Sequence, residues 1–211
     1  MRKLTKGIII GLSVLLLGVI IYFYFPKVWG GVLYPLAYED IIQKYAKENN
    51  ISPYLVAAVI FQESHYNPEA TSRVGARGLM QIMPATGNAI AQRMGYQGYT
   101  PDKLYDPETN IRFGSFYLKE LLDQYHGNTE VALAAYNGGA GVADRYLASR
   151  AAPVPTETAG FIRSVTNAQQ KYEEVYSKEL TPQNVKSKLF KQAQPPSLWD
   201  RFQQGFWGLF Q

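Results

Sequence analysis

Residues 7–25, nineteen in a row without a formal charge and mostly Ile, Leu, Val and aromatics, constrain this chain more than any other stretch. At about 1.5 Å per residue a helix of that length nearly matches the hydrocarbon core of a bilayer, so the run is expected to span one. Arg2, Lys3 and Lys6 precede it and only Lys27 follows closely. That bias places the amino terminus in the cytoplasm and everything after Pro26 outside, with Tyr22, Tyr24 and Trp29 near the outer interface. A cleavable signal peptide is the competing reading. The run is long and ends in bulky Y-F-Y-F with no small-x-small cleavage site, which favours an uncleaved signal anchor.

Beyond Pro35 the pattern is helical almost throughout, and 211 residues suit one helical domain plus accessory segments. Three helix starts are marked by a capping residue followed by proline: Ser52-Pro53, Asp106-Pro107 and Thr181-Pro182. The spacing predicts helices over 38–48, 53–64, 84–94, 107–125, 129–136, 140–149, 156–176 and 182–192. Gly95 and Gly127 are expected to cap helix ends, strand signals are scarce, and no internal repeat is visible. After Pro195-Pro196, Trp199, Phe202, Phe206, Trp207 and Phe210 mostly share one side of a helix. That face suits a membrane surface, a partner or the body of the protein itself.

Composition excludes several function classes. The net charge is only +4, and much of it sits before residue 7 and in the late run 178–191. No continuous basic face is left for nucleic acid. The chain has no cysteine, which rules out disulfides and thiolate metal sites, and its two histidines, His65 and His126, make an imidazole zinc site improbable. Sixteen tyrosines are suited to lining polar, ring-shaped ligands, although packing between helices accounts for most of them.

Chemistry concentrates in residues 62–86, Q-E-S-H-Y-N-P-E-A-T-S-R-V-G-A-R-G-L-M-Q-I-M-P-A-T. In the helix opened by Pro53, Val56, Val59, Ile60 and Glu63 fall at helical spacing, so the carboxyl emerges on or beside the apolar face. Burial would raise its pKa, and a carboxylic acid protonated near neutral pH can give its proton to a glycosidic oxygen, as the acid of lysozyme does. Asn67-Pro68 stops that helix, Ser72 returns a short hydroxyl, and Gly75 and Gly78 permit a loop to fold back over Glu63. Leu79 and Met80 read as core. Gln81 offers an amide either for a sugar or for bracing the loop, and Met83 is either filler or the floor under a ring.

With A-A-Y-N-G-G at 134–139 and E-T-A-G-F-I at 157–162, this block resembles the lytic transglycosylase family of murein-cleaving enzymes, which have a lysozyme-like fold. The resemblance covers roughly residues 38–176. It implies a mainly α, lysozyme-like domain over 38–178; from composition alone, that domain is expected behind a cytoplasmic amino terminus and transmembrane anchor over 1–27 and a juxtamembrane linker over 28–37, with an extension over 179–211. It further implies that Glu63 is the catalytic acid, with Tyr136 close to it, and that Ser72, Gln81, Met83, Asn137 and Glu157 line or support the glycan site. Phe161 departs from the pattern, because it stands where the family's E-T-x-x-Y block has tyrosine.

Most glycosidases use two carboxyl groups. Glu69 reads as a solvated loop acid and Glu157 as a sugar-binding one, so a single carboxyl that acts first as acid and then as base fits better. In the family this resembles, the muramic acid's own primary hydroxyl closes an anhydro ring and no water is consumed. The implied substrate is the peptidoglycan glycan strand, cut by a single-pass envelope protein whose domain faces outward. No metal or organic cofactor is called for, and a cell-wall or secretion machine is the implied partner. A muramidase, a non-catalytic glycan-binding scaffold and a chitin-active enzyme remain the alternatives.

Overall fold

A computed structural model describes residues 11–19, 31–148 and 155–180. These divide into two units, one containing the described residues up to Pro35 and the other those from Leu36 onward. In the first, α1 covers 11–19 and every residue in it is exposed, including Leu12 and Val14. The rest of the apolar run over 7–25 lies outside the described residues, and no described helix is long and apolar enough to cross a membrane. The expected helix over 182–192 and the aromatic tail also lie outside them.

The second unit is built of α2 (Glu39–Glu48), α3 (Pro53–Ser64), α4 (Pro84–Arg93), α5 (Pro107–Gln124), α6 (Thr129–Gly138), α7 (Ala140–Ala148) and α8 (Thr156–Tyr176). A 3-10 turn at Pro101–Tyr105 precedes α5. Its start follows the same proline rule as the α-helices, but the five-residue turn carries too little periodicity to announce itself. Two cap signals do what their sequence suggests. Ser52 Oγ accepts the Leu55 N–H, at a long 3.4 Å, and Asp106 Oδ2 accepts that of Thr109 at 2.9 Å, each with proline at the first helical position. Asn128 caps α6 in the same way at 3.2 Å.

Helix α3 is deeply buried along its middle. Its residues 55–60 are all buried, so it has no polar side, and it packs most extensively on α8. Residues 55–60 are thus apolar all round, as in an interior helix, and they include Val56, Val59 and Ile60, which the sequence places with Glu63. Glu63 lies three and four residues beyond Ile60 and Val59, on the same side of the helix, and is half-buried, as expected for a carboxyl that emerges on or beside the apolar face. Helices α5, α7 and α8 pack around α6, α2 packs against α3 and α5, and α4 and the 3-10 turn lie against α5.

Gly95 sits in the left-handed region just after α4, with Tyr96 N–H returning to the Ala91 carbonyl at 2.8 Å. After α5 both His126 and Gly127 adopt positive φ, 53° and 79°, and the Gly127 N–H bonds the Leu122 carbonyl at 2.7 Å. Helix α6 runs two residues past its expected end, because the turn that stops it is made by Gly139 at φ 80° rather than by Tyr136.

Candidate active site

The loop between α3 and α4 is anchored by side chains more than by strand pairing. Arg77 bridges Thr71 on one side and Ile82 on the other, the only extended pairing among the described residues. Gly78 adopts φ 73°, and a Cβ there would stand 2.0 Å from the Leu104 carbonyl oxygen. The loop thus presses its main chain directly on the 3-10 turn, which no other residue type permits.

Ser64 donates to the Leu79 carbonyl at 2.8 Å. Asn110, at 0% exposure in α5, accepts the Met80 N–H at 2.7 Å and donates to the Arg77 and Leu104 carbonyls at 2.9 and 2.7 Å. Tyr136, from α6, donates its hydroxyl proton to the Met80 carbonyl at 2.7 Å. Gly114 supplies the space for the Met80 side chain, since a Cβ there would lie 2.2 Å from Sδ. The loop segment beside Glu63 is thereby held from α3, α5 and α6 at once.

Glu63 is the next-to-last residue of α3, half-buried, and burial alone pushes its carboxyl up to about 8. No cation and no hydrogen-bond donor among the described residues offsets that burial. Tyr136 is near enough for the Glu63 charge to help hold the phenol's proton, although burial is the larger cause, and Tyr117 lies behind it with ring centroids 5.6 Å apart. A carboxyl in this state carries a proton at neutral pH and can release it to a leaving oxygen.

The remaining sequence candidates fall around this centre in distinct ways. Gln81 Nε2 donates to the Ala70 and Gly78 carbonyls at 3.1 and 2.9 Å, so the bracing reading holds for its nitrogen. Ser72 Oγ accepts the Ala76 N–H at 3.0 Å, which closes the 72–76 turn, and no hydrogen bond links it to Glu63. Met83 precedes α4 and is 39% exposed. Asn137 Oδ1 accepts the Thr158 hydroxyl at 3.0 Å and so joins α6 to α8, where Glu157 is exposed in the first turn. Phe161 is buried on α8, so the missing tyrosine hydroxyl leaves an apolar core position. Glu69 is exposed and its charge acts on Tyr38, not on Glu63. Among the described residues no three His, Cys, Asp or Glu side chains converge where a metal ion would fit.

Ser64, Asn110, Gly114 and Thr158 are the residues that sequence reasoning missed. Ser64 had a signal, being adjacent to Glu63 in a helix end whose hydroxyl can turn back to the main chain. Asn110 had none, because its spacing reads only as the first turn of α5.

A helical unit that holds one elevated carboxyl against a side-chain-clamped loop is suited to acid/base chemistry. Residues 40–156, more than half of the chain, match the Transglycosylase SLT domain, and the chain belongs to that family. It is 36% identical over 143 residues to the soluble lytic murein transglycosylase of Escherichia coli K12, covering 63% of this chain and 22% of that protein. It is 40% identical over 114 residues to the membrane-bound lytic murein transglycosylase C of Actinobacillus pleuropneumoniae, covering 49% of this chain and 31% of that protein. The fold matches the crystal structure of the 70 kDa soluble lytic transglycosylase of Escherichia coli with a TM-score of 0.65 at 34% identity, over 72% of this chain and 26% of that one. The inactive glutamate-to-glutamine mutant of the Pseudomonas aeruginosa enzyme matches with a TM-score of 0.64 at 28% identity, over 68% and 25%. The chain thus spans roughly a quarter of the length of these soluble enzymes.

Proposed function

We propose that this protein is a membrane-anchored murein lytic transglycosylase that cleaves the MurNAc–GlcNAc bond of peptidoglycan with Glu63 as its single acid and base. The observation that carries this reading is the Glu63 carboxyl, raised to about 8 by burial and acted on by no second acid. Glu63 protonates the glycosidic oxygen as the bond to the muramic C1 breaks. The muramic C6 hydroxyl then bonds to C1 and gives its proton to the Glu63 carboxylate, which restores the acid and leaves a 1,6-anhydro ring.

Tyr136 faces the reacting centre from α6. The Gln81 carbonyl oxygen, the Asn137 amide and the Met83 side chain meet the sugars, Glu157 binds further along the strand, and Ser72 supports the loop rim. That a relative was solved as an inactive glutamate-to-glutamine mutant agrees with one indispensable carboxyl, and a membrane-bound relative agrees with an anchor over 7–25. The anchor keeps Arg2, Lys3 and Lys6 inside and the domain outside, next to wall close to the membrane.

The test is mass spectrometry of purified peptidoglycan digested by residues 32–211, beside Glu63→Gln. Products lighter by one water than hydrolysed muropeptides, absent with the variant, are expected. Full-mass reducing ends would make the enzyme a muramidase. Glycan binding without products would make it a scaffold.

A further inference from the structure

Asn110 is fully buried, yet every polar atom of its side chain is used outside its own helix. One amide fixes three main-chain groups: the Met80 N–H, the Arg77 carbonyl and the Leu104 carbonyl. Met80 is also the residue whose carbonyl takes the Tyr136 proton. Tyr136 in turn lies close enough to Glu63 for that carboxylate's charge to act on its phenol, and the Tyr117 ring packs against it.

This connection has a chemical consequence. A phenol has one proton to donate, and while the Met80 carbonyl accepts it the carboxyl of Glu63 cannot. A donor turned toward that carboxyl would favour its ionised form. We infer that Asn110 is a positioning residue for the Glu63 site: it holds the Met80 main chain where the carbonyl takes the Tyr136 proton and keeps it from Glu63. The inference rests on the reading of Glu63 as the acid.

The side chain at this position is tightly specified. Aspartate would set an oxygen against the Arg77 and Leu104 carbonyls where only donors fit. Glutamine adds a methylene in a place where even a Cβ on Gly78 would come within 2.4 Å of Asn110 Nδ2. Alanine leaves two carbonyls and one N–H without their partner. If Asn110 only stabilised the fold, its loss would lower the amount of folded enzyme and leave the ionisation of Glu63 where it was.

The experiment uses the full chain and compares Asn110→Ala and Asn110→Ser, each alone and combined with Tyr136→Phe, with Glu63→Gln as the reference for the acid itself. Folding is checked by circular dichroism, and kcat and KM for anhydromuropeptide release are followed against pH. Serine keeps one donor and is read in the same way where alanine does not fold; both are assayed below their melting temperatures.

In a folded variant kcat is expected to fall about tenfold with KM nearly unchanged, and the basic limb of the kcat profile to move to lower pH by about one unit. Combination with Tyr136→Phe is expected to remove that movement, because no proton remains to be redirected. A folded Asn110 variant with wild-type kcat and an unmoved limb would overturn the inference, as would a movement that persists without the Tyr136 hydroxyl. Activity surviving in Glu63→Gln would instead overturn the reading of Glu63, so the two failures are distinguishable.

Discussion

Glu63 and Glu108 stand at opposite ends of two helices and titrate in opposite directions. Glu108 is the second residue of α5, where the positive end of the helix dipole favours an anion. It also accepts hydrogen bonds from Lys44 Nζ at 2.7 Å and Tyr45 Oη at 2.9 Å, and these hold its carboxyl below the ordinary range. Glu63 is the next-to-last residue of α3, where the dipole opposes an anion, and burial raises its carboxyl to about 8. One glutamate is a brace between α2 and α5; the other is the proton carrier of the proposed mechanism. The chain holds seventeen acidic residues, and what separates a catalytic candidate from the rest is burial without a compensating partner rather than residue type.

The contrast breaks if the two glutamates prove interchangeable for activity. Glu63→Gln is expected to lower the rate of muropeptide release by about 10²–10⁴-fold, the range that general acid–base groups supply. Glu108→Gln should leave the rate within about twofold, because its carboxylate is already committed to Lys44 and Tyr45. In the wild type kcat/KM should fall as pH rises through about 8, since the free enzyme then loses the proton on Glu63.

Stability sharpens the same comparison. The folded state of Glu63 holds its proton to higher pH than the unfolded chain does, so folding is penalised as pH rises from the ordinary carboxyl range toward about 8, and the penalty levels off above it. Glu63→Gln cannot ionise and escapes the penalty. It is expected to gain on the order of 2–4 kcal/mol over wild type at pH 9, and little or nothing near pH 4. Thermal melts of the two proteins across that range measure the difference. An inactive variant that is more stable only at high pH would identify a site whose chemistry is held at the expense of the fold.

Gly78→Ala tests whether the clamp matters to one glutamate and not to the other. The added Cβ meets the Leu104 carbonyl at 2.0 Å in a backbone with φ 73°, so the loop must leave its seat. The expected cost is about 2–3 kcal/mol of stability together with a loss of activity, from overpacking and from a conformation that L residues disfavour. The carboxyl of Glu108 should titrate as before, which NMR of that side chain would show.

How far such features can be read from the sequence depends on their range. Ser52-Pro53 and Asp106-Pro107 announce α3 and α5 because cap and proline act on the nearest main-chain groups. Glu63 stands out because its motif is local, and Val56, Val59 and Ile60, which the spacing places with it, are buried; what the sequence does not show is that residues 55–60 are buried on every side. Gln81 had two local readings, and the loop decides for bracing through its nitrogen. Asn110 and Gly114 were illegible, since each serves a loop about thirty residues away, and no periodicity along α5 records what packs across from it. The 72–76 turn behaves in the opposite way: Ser72 bonds four residues ahead, within the reach of a sequence argument.

The smallest expected effect lies on the Glu108 side of the comparison. Its pKa is depressed chiefly by the Lys44 hydrogen bond and then by Tyr45, so its contribution to stability is present above the ordinary carboxyl range and is lost as pH falls through the folded value. Both members of the ion pair are substantially exposed, with Glu108 at 40% and Lys44 at 50%, and solvent therefore screens most of the attraction. Glu108→Gln should cost no more than about 0.5–1 kcal/mol at pH 7, less at high salt, and nothing once the pH has fallen below the folded value. Its pH dependence is therefore opposite in sign to that of Glu63→Gln: the Glu108 variant loses ground to wild type as pH rises, while the Glu63 variant gains it. Melting both variants in one buffer series decides the matter, since a common sign would show that helix end and partner do not set the state of these carboxyls.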